Sequence, residues 1–289
     1  MNPLQCELCG HKGNWTSVYP KKAIVKCPNC QLVFYDKKID AASLYTEDYF
    51  KGGEYADYLA DKEIIQRNFG CRIKQLRKYK DGGRLLEIGS AYGLFMEMAQ
   101  PFWQVTGVEI SSECAEYARN NLGLDVKTAD FLSLQDEFES YDIICMWDTV
   151  EHLAHPVRYI EKASRWLKPG GLLFLTTGDI DSRMSRFRKD KWRLIHPPTH
   201  LYYFSKNTLT RSANKAELEV INISHVGFSR SFRAILYGLF VAREKKYSWL
   251  YRLLTINGKI DFPIYLNFYD IMMLVAKKNH KKNKRILSK

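Results

Sequence analysis

Two hydrophobic rhythms alternate through the middle of this chain. Short apolar runs at residues 85–88, 104–109, 124–127, 141–147 and 172–176 read as strands, and stretches with apolar positions every three to four residues, at 112–121 and 156–167, read as helices. The run Tyr141-Asp142-Ile143-Ile144-Cys145-Met146-Trp147 is apolar at nearly every position, which suits a parallel strand covered on both faces. Ser111 stands where a helix N-cap belongs, with Glu113 in the first turn, and Pro156 opens the next helix. Strand–helix alternation of this kind predicts an α/β fold with a doubly wound, largely parallel sheet. Upstream, residues 55–79 read as a helix, with Tyr58, Leu59, Ile65, Phe69, Ile73 and Leu76 at near-helical spacing. Downstream, residues 208–216 read as a helix capped by Ser205, 218–225 as a strand and 264–276 as the last strand.

The chemistry-bearing stretch is Arg84-Leu85-Leu86-Glu87-Ile88-Gly89-Ser90-Ala91-Tyr92-Gly93-Leu94-Phe95-Met96. A buried strand ends in an acid, Gly89 allows a sharp turn, and Ala91 and Gly93 keep side chains away from a ligand lying on the backbone. The following helix turns its free N–H groups toward that ligand. Glu109 closes the next strand about 20 residues after the glycines, where a nucleotide-binding fold places a carboxylate on ribose hydroxyls. In such a sheet ligands sit at the carboxyl ends of the strands, here at residues 89–93, Glu109, Asp130, 147–152 and 177–179.

On these residues the sequence resembles the class I S-adenosylmethionine (SAM) methyltransferases. Glu87-Ile88-Gly89-Ser90-Ala91-Tyr92-Gly93 matches their acid and Gly-x-Gly-x-Gly motif, with Ala91 at the middle glycine. Glu109, followed by Ile110, matches the ribose-binding acid, and Ala129-Asp130-Phe131 the adenine-contacting motif. Residues 141–153 match the fourth strand and its following turn, with Trp147 at the strand end, and Leu167-Lys168-Pro169-Gly170-Gly171 matches the turn before the fifth strand. The resemblance spans roughly residues 84–177 and implies a Rossmann-like sheet of seven strands, SAM as cofactor, and Glu87, Gly89, Ser90, Ala91, Gly93, Glu109, Ile110, Asp130, Phe131 and Trp147 as its contacts.

The N-terminus carries a separate signal. Cys6-Glu7-Leu8-Cys9 and Cys27-Pro28-Asn29-Cys30 are two C-x-x-C knuckles, which put four thiolates around one tetrahedral site. Four cysteines leave no open coordination position, so Cys6, Cys9, Cys27 and Cys30 are expected to hold structural zinc. Redox dithiols or disulfides are the alternatives, and a reducing cytoplasm disfavours the latter. Cys71, Cys114 and Cys145 have no such partners and read as core residues. The resulting plan is a zinc ribbon at 1–36, a helical connector or lid at 37–80, and a SAM-methyltransferase domain at 81–289 with acceptor-side insertions at 178–204 and 229–262. A zinc knuckle followed by Leu44-Tyr45-Thr46-Glu47-Asp48-Tyr49-Phe50 also resembles bacterial methyltransferases that act on sugars and surface glycans, which makes Tyr45 and Tyr49 candidate pocket residues.

Charge changes the picture on the acceptor side. Residues 1–150 hold 17 Lys and Arg against 22 Asp and Glu, and residues 151–289 hold 27 against 10, so the net +12 is concentrated in the second half. That half points to an anionic partner, and Arg183, Arg186, Arg188, Lys189, Lys191 and Arg193 could grip a phosphate-bearing acceptor or form a solvated loop. The stretch His196-Pro197-Pro198-Thr199-His200-Leu201-Tyr202-Tyr203-Phe204-Ser205 offers two candidate bases. In similar methyltransferases a His-Leu-x-x-Phe-Ser run faces the acceptor, which favours His200 over His196. Asp148 and His152 form a second cluster that could orient the acceptor or the methionine end of SAM.

No stretch approaches the about 20 apolar residues of a membrane span, and the N-terminus lacks a signal peptide, so a cytoplasmic protein is expected. The aromatic, basic run at 232–254 is expected to pack on the sheet or to lie on an anionic membrane surface. The functional expectation is methylation of a sugar or a nucleotide- or lipid-linked glycan, by O-methylation with a His base or by C-methylation. The alternatives are an RNA methyltransferase and a non-catalytic SAM-binding protein at the membrane; nucleic acid is disfavoured because the zinc-bearing half is acidic.

Overall fold

In a computed structural model, residues 5–37, 59, 61–232, 235–236 and 262–279 are described. The candidate pocket residues Tyr45 and Tyr49 lie outside them, as does most of the insertion at 229–262. The centre is a seven-stranded sheet in the order β10-β13-β8-β7-β4-β5-β6. Its strands are β4 (Arg84–Ile88), β5 (Gln104–Glu109), β6 (Val126–Thr128), β7 (Tyr141–Trp147), β8 (Leu167–Gly178), β10 (Leu218–His225) and β13 (Ile271–Lys278). β4 to β8 run parallel, with Leu85 opposite both Val105 and Ile143, and Cys145 opposite Phe174. β13 enters antiparallel to β8, and β10 antiparallel to β13.

The helices α1 (Lys62–Arg77), α2 (Leu94–Ala99), α3 (Ser112–Leu122), α4 (Pro156–Trp166), α5 (Arg183–Arg188) and α6 (Lys206–Lys215) accompany this sheet. β7 is buried at all seven positions, because hydrophobic layers cover both its faces. On one side Leu86, Ile144, Ile160, Trp166 and Leu274 share a core; on the other Leu85, Phe95, Cys145, Phe174 and Val275 share another. The local signals act where expected. Ser111 Oγ accepts the Cys114 N–H at 3.4 Å, and Ser205 and Thr208 form a reciprocal capping box.

The last strand departs from the expected single run over 264–276. It is two strands, β12 (Pro263–Leu266), which pairs with β11 (Phe228–Ser231), and β13. The break is local: Asn267 Oδ1 accepts the Tyr269 N–H at 2.9 Å, and Tyr269 takes φ +54°. Lys277 and Lys278 close β13, where Lys278 Nζ donates to Leu167 O at 2.7 Å.

The N-terminal cysteine segment does not stand apart from the rest. β1 (Thr16–Tyr19), β2 (Ile24–Lys26) and β3 (Val33–Tyr35) form a sheet whose fourth strand is β9 (Tyr202–Tyr203), from the acceptor-side insertion. Val33 pairs with Tyr203 and Phe34 with Tyr202. Cys6, Cys27, Cys30 and Phe34 join the same hydrophobic core as β7 and α4.

Candidate active site

The turn after β4 is built as its glycines require. Gly89 and Gly93 take φ +77° and +78°, and a Cβ on Gly89 would stand 2.6 Å from Thr149 Cγ2. Ala91, in place of a glycine, is also left-handed at φ +45°, which costs an L-residue about 1 kcal/mol. Its N–H donates to Glu109 Oε2 at 2.7 Å, and the Ser111 N–H donates to Glu109 Oε1 at 2.8 Å. Glu109 thus ties the turn after β4 to the turn after β5. Burial raises its pKa against the opposing pull of these amides.

Beneath the turn lies Glu87, 2% exposed, whose Oε2 has no partner among the described residues. Burial, with the nearby Glu109 charge adding to it, holds its carboxyl well above the usual range. Ser90 Oγ and Trp147 Nε1 are likewise buried and unpartnered among the described residues. Asp148 is exposed, left-handed at φ +48°, and fixed by its N–H donating to Thr176 Oγ1 at 2.9 Å. Ile110 is exposed beside Glu109. Asp130 accepts from Tyr159 Oη at 2.5 Å and caps the turn at Leu132 N. The Phe131 side chain lies in the core, where it packs on Trp166 and Tyr159, and the residue is buried.

One residue of this region was not read from the sequence. Arg72 of α1 is 8% exposed, with its guanidinium 5.9 Å from the centre of the Trp147 ring. Burial lowers its pKa, opposed by the Asp148 charge, and no carboxylate of the described residues forms an ion pair with it. The available signal was its place on the apolar stripe of Phe69, Ile73 and Leu76, where a charge needs a reason.

A histidine cluster adjoins it near the carboxyl ends of β7 and β8. His152 and His200 meet edge to face, with ring centres 4.6 Å apart, and both are buried. His152 Nδ1–H donates to Thr199 O and His200 Nδ1–H to Leu194 O, each at 2.9 Å. Glu151, which lies in the 147–152 stretch but was given no role of its own from the sequence, is buried beside them, and its carbonyl accepts the Leu201 N–H at 2.8 Å. His196 is exposed, with its ring 6.2 Å from that of His200, and its Nδ1 bonds to Thr199 Oγ1 at 2.8 Å. A second imidazole–carboxylate pair, His225 Nε2 to Asp179 Oδ2 at 3.0 Å, also escaped sequence reading. The six cations of 183–193 are not equivalent. Arg193 is engaged at 3.0 Å by the fully buried Asp270, which also accepts from Trp192 Nε1 at 2.9 Å, while Arg186 lies 3.7 Å from the exposed Asp181.

The four N-terminal cysteines converge. Cys6 and Cys30 Sγ are 3.4 Å apart and Cys9 and Cys27 Sγ 3.6 Å, close to the roughly 3.8 Å that two ligands of a tetrahedral zinc keep at Zn–S bonds of about 2.3 Å. Turn bonds from Gly10 N to Cys6 O and from Gln31 N to Cys27 O, 2.8 and 2.9 Å, shape the two knuckles. The donor set therefore fits a closed zinc site.

A family model described as a methyltransferase domain matches residues 53–223, more than half of the chain. A ubiquinone biosynthesis O-methyltransferase of Chelativorans sp. (strain BNC1) is 35% identical over 122 residues, 40% of this chain and 48% of that protein. An uncharacterized protein of Methanocaldococcus jannaschii is 33% identical over 138 residues, 48% of this chain and 64% of that protein. The chain thus spans about half to just under two thirds of the length of these curated relatives. Among solved structures, a SAM-dependent methyltransferase of Thermotoga maritima superposes with a TM-score of 0.53 at 21% identity, covering 80% of this chain and 98% of that one. Phosphoethanolamine N-methyltransferase 2 of Haemonchus contortus, in complex with S-adenosyl-L-methionine, gives 0.51 at 16% identity, covering 86% of this chain and 62% of that one. The seven-stranded sheet, its glycine turn and the family match place this chain in the methyltransferase-domain family.

Proposed function

We propose that this protein transfers a methyl group from S-adenosylmethionine to a hydroxyl of a sugar or of a nucleotide- or lipid-linked glycan. The observation that carries the cofactor reading is the set of buried polar atoms without a partner among the described residues, Glu87 Oε2, Ser90 Oγ and Trp147 Nε1, around a turn where glycines stand at left-handed positions. A buried polar atom without a partner costs about 1–3 kcal/mol, and a polar ligand removes that cost. Glu87 and Arg72 fit the ammonium and carboxylate of the methionine moiety, and Glu109 the ribose hydroxyls. Ile110 and Asp130 fit the edges of the base, with Phe131 packed behind them, and Asp148 the entrance. When bound, the cofactor supplies a methyl already activated on a sulfonium.

The chain must then align the acceptor and handle its proton. With its Nδ1–H committed to Leu194 O, His200 presents Nε2 as the basic atom, and His152 packs edge-on against it. His200 Nε2 takes the hydroxyl proton as the oxygen attacks. The names of the ubiquinone biosynthesis relatives support oxygen as the methylated atom, and the glycan class rests on the zinc-knuckle resemblance. Cys6, Cys9, Cys27 and Cys30 hold structural zinc. Arg183, Arg186, Arg188, Lys189 and Lys191 remain as cations for a phosphate on the acceptor or for an anionic membrane surface. Among the described residues no helix is long and apolar enough to cross a membrane.

The test is methyl transfer from labelled SAM into a cell extract separated into lipid, small aqueous, RNA and protein fractions. Label in the lipid or small aqueous fraction supports this reading, and RNase-sensitive label overturns it. Bound SAM with no label anywhere favours a non-catalytic binding protein. Once an acceptor is found, His200→Ala should lower turnover by about a hundredfold or more. A loss under about tenfold removes His200 as the base.

A further inference from the structure

We propose that Glu151, His152 and His200 form a binding site for a divalent transition-metal cation, separate from the cysteine site, on which the acceptor oxygen is activated. The three side chains offer a carboxylate oxygen and two imidazole nitrogens, all within 4.8 Å of one another. All three residues are more than nine-tenths buried, at 4%, 8% and 6% exposure. A cation with ligand bonds of about 2.0–2.2 Å keeps its ligand atoms roughly 3–4 Å apart, so rotamer adjustments of about 1 Å close the site.

The tautomers are already set. The Thr199 and Leu194 carbonyls can only accept, so both imidazoles carry a proton on Nδ1, which makes Nε2 the ring atom that a cation would take. Metal-ligating histidines are held in this way, with the second ring nitrogen donating to a carbonyl or carboxylate. The ligands come from two segments, the turn after β7 (Val150–His152) and the loop before β9, and the Leu201 N–H to Glu151 O bond clamps the two together. A small cavity bordered by Glu151, His200, Thr177, Gly178, Trp192 and Leu194 adjoins the cluster, with room for about one water-sized ligand such as a single oxygen. Three protein ligands and one open position are the pattern of a catalytic rather than a structural site. Two imidazoles and one carboxylate favour zinc, iron, cobalt, nickel or manganese over magnesium or calcium.

This inference rests on the reading of this corner as the acceptor side, and it changes the owner of one step. In the metal-loaded protein the acceptor hydroxyl is a ligand of the cation, which lowers its pKa, and its proton leaves to solvent. The oxygen lone pair then forms the O–C bond to the methyl, and the electrons of the breaking C–S bond return to sulfur.

The test uses the full chain with zinc on its cysteines, titrated with Co²⁺ by calorimetry and visible absorption. We expect a second cation per chain whose spectrum lacks thiolate charge-transfer bands. Glu151→Gln, which keeps the side-chain shape, and His152→Ala should each weaken it by about a hundredfold. Saturation with the cysteine-bound cation alone overturns the site, as does a second equivalent untouched by both substitutions. Cation binding whose removal leaves turnover unchanged overturns the activation step. No cation binding, with turnover that still needs His200, overturns the cation site and leaves the base reading standing.

Discussion

Gly89→Ala is the sharpest probe of the turn on which the cofactor side depends. The structure fixes two separate penalties. Gly89 sits at φ +77°, and a left-handed backbone costs an L-residue about 1–2 kcal/mol. The new Cβ would also lie 2.6 Å from Thr149 Cγ2 and 2.8 Å from Thr149 Oγ1. Thr149 is β-branched and its hydroxyl donates to Trp147 O at 2.9 Å, so it yields poorly, and overpacking of this kind costs about 1–3 kcal/mol. Together these remove roughly 2–5 kcal/mol of the about 5–15 that hold a domain folded. For a chain of this length that is a fall in Tm of about 3–8 °C. Urea unfolding and SAM binding by calorimetry would measure both stability and the loss of the cradle. A double-mutant cycle with Thr149→Ala separates the terms, since that change removes both close atoms and leaves the φ penalty. The expected coupling is about 1–3 kcal/mol. If the two substitutions are simply additive and Gly89→Ala binds SAM as the parent does, the argument from this turn is wrong.

Three further outcomes follow from the same geometry. Arg72→Met should raise the stability of the ligand-free protein, since it removes a buried charge that has no ion pair among the described residues, while weakening SAM binding about tenfold or more; unchanged binding in calorimetry would take Arg72 out of the cofactor site. Removing zinc with a chelator, or substituting Cys9→Ser, should release about one zinc per chain and open the β3–β9 pairing to protease, with cleavage near residue 200 as the readout and uncut protein as the contrary result. Asp142 is buried, which raises its pKa, but hydrogen bonds from Lys168 and Lys80 and from the Arg84 amide outweigh this and bring it to about 2. Because the folded pKa lies below the ordinary carboxylate value, the stabilisation is complete above about pH 4 and is lost as the pH falls toward 2; Asp142→Asn should cost about 1–2 kcal/mol at neutral pH, allowing for the half-exposed lysines, and flatten this acid limb in pH-dependent urea unfolding.

What the chain reveals before folding is local. β5, β7 and β10 match their expected spans residue for residue, and for β7 the cause is a run apolar at nearly every position, which leaves little choice of ends. The turn after β4 and the two cysteine knuckles were equally readable, since glycine conformation and thiolate pairing act over a few residues. The break at Asn267 was readable too, yet the apolar residues on either side of it mask the Asx turn. Long-range features were not. Nothing near Tyr202 and Tyr203 signals a partner at residues 33–34. Arg72 and Glu151 look like surface residues until the fold places one against Trp147 and the other beside two imidazoles. Phe131 shows the converse, a motif position whose side chain the core claims.

The β3–β9 pairing also constrains how this scaffold can be re-engineered. The strand that directly follows His200 is registered on the cysteine module, 170 residues earlier in the chain, and not on the seven-stranded sheet. Grafting a new acceptor loop onto residues 192–205 alone would therefore break its hydrogen bonds to Val33 and Phe34 and the packing of Trp192 and Ile195 on Ile24. A working chimera has to exchange residues 5–37 and 192–205 as one cassette, while the cofactor half can remain untouched. Diversification of the acceptor in relatives that share this layout is accordingly expected to show as paired change in two distant stretches of sequence.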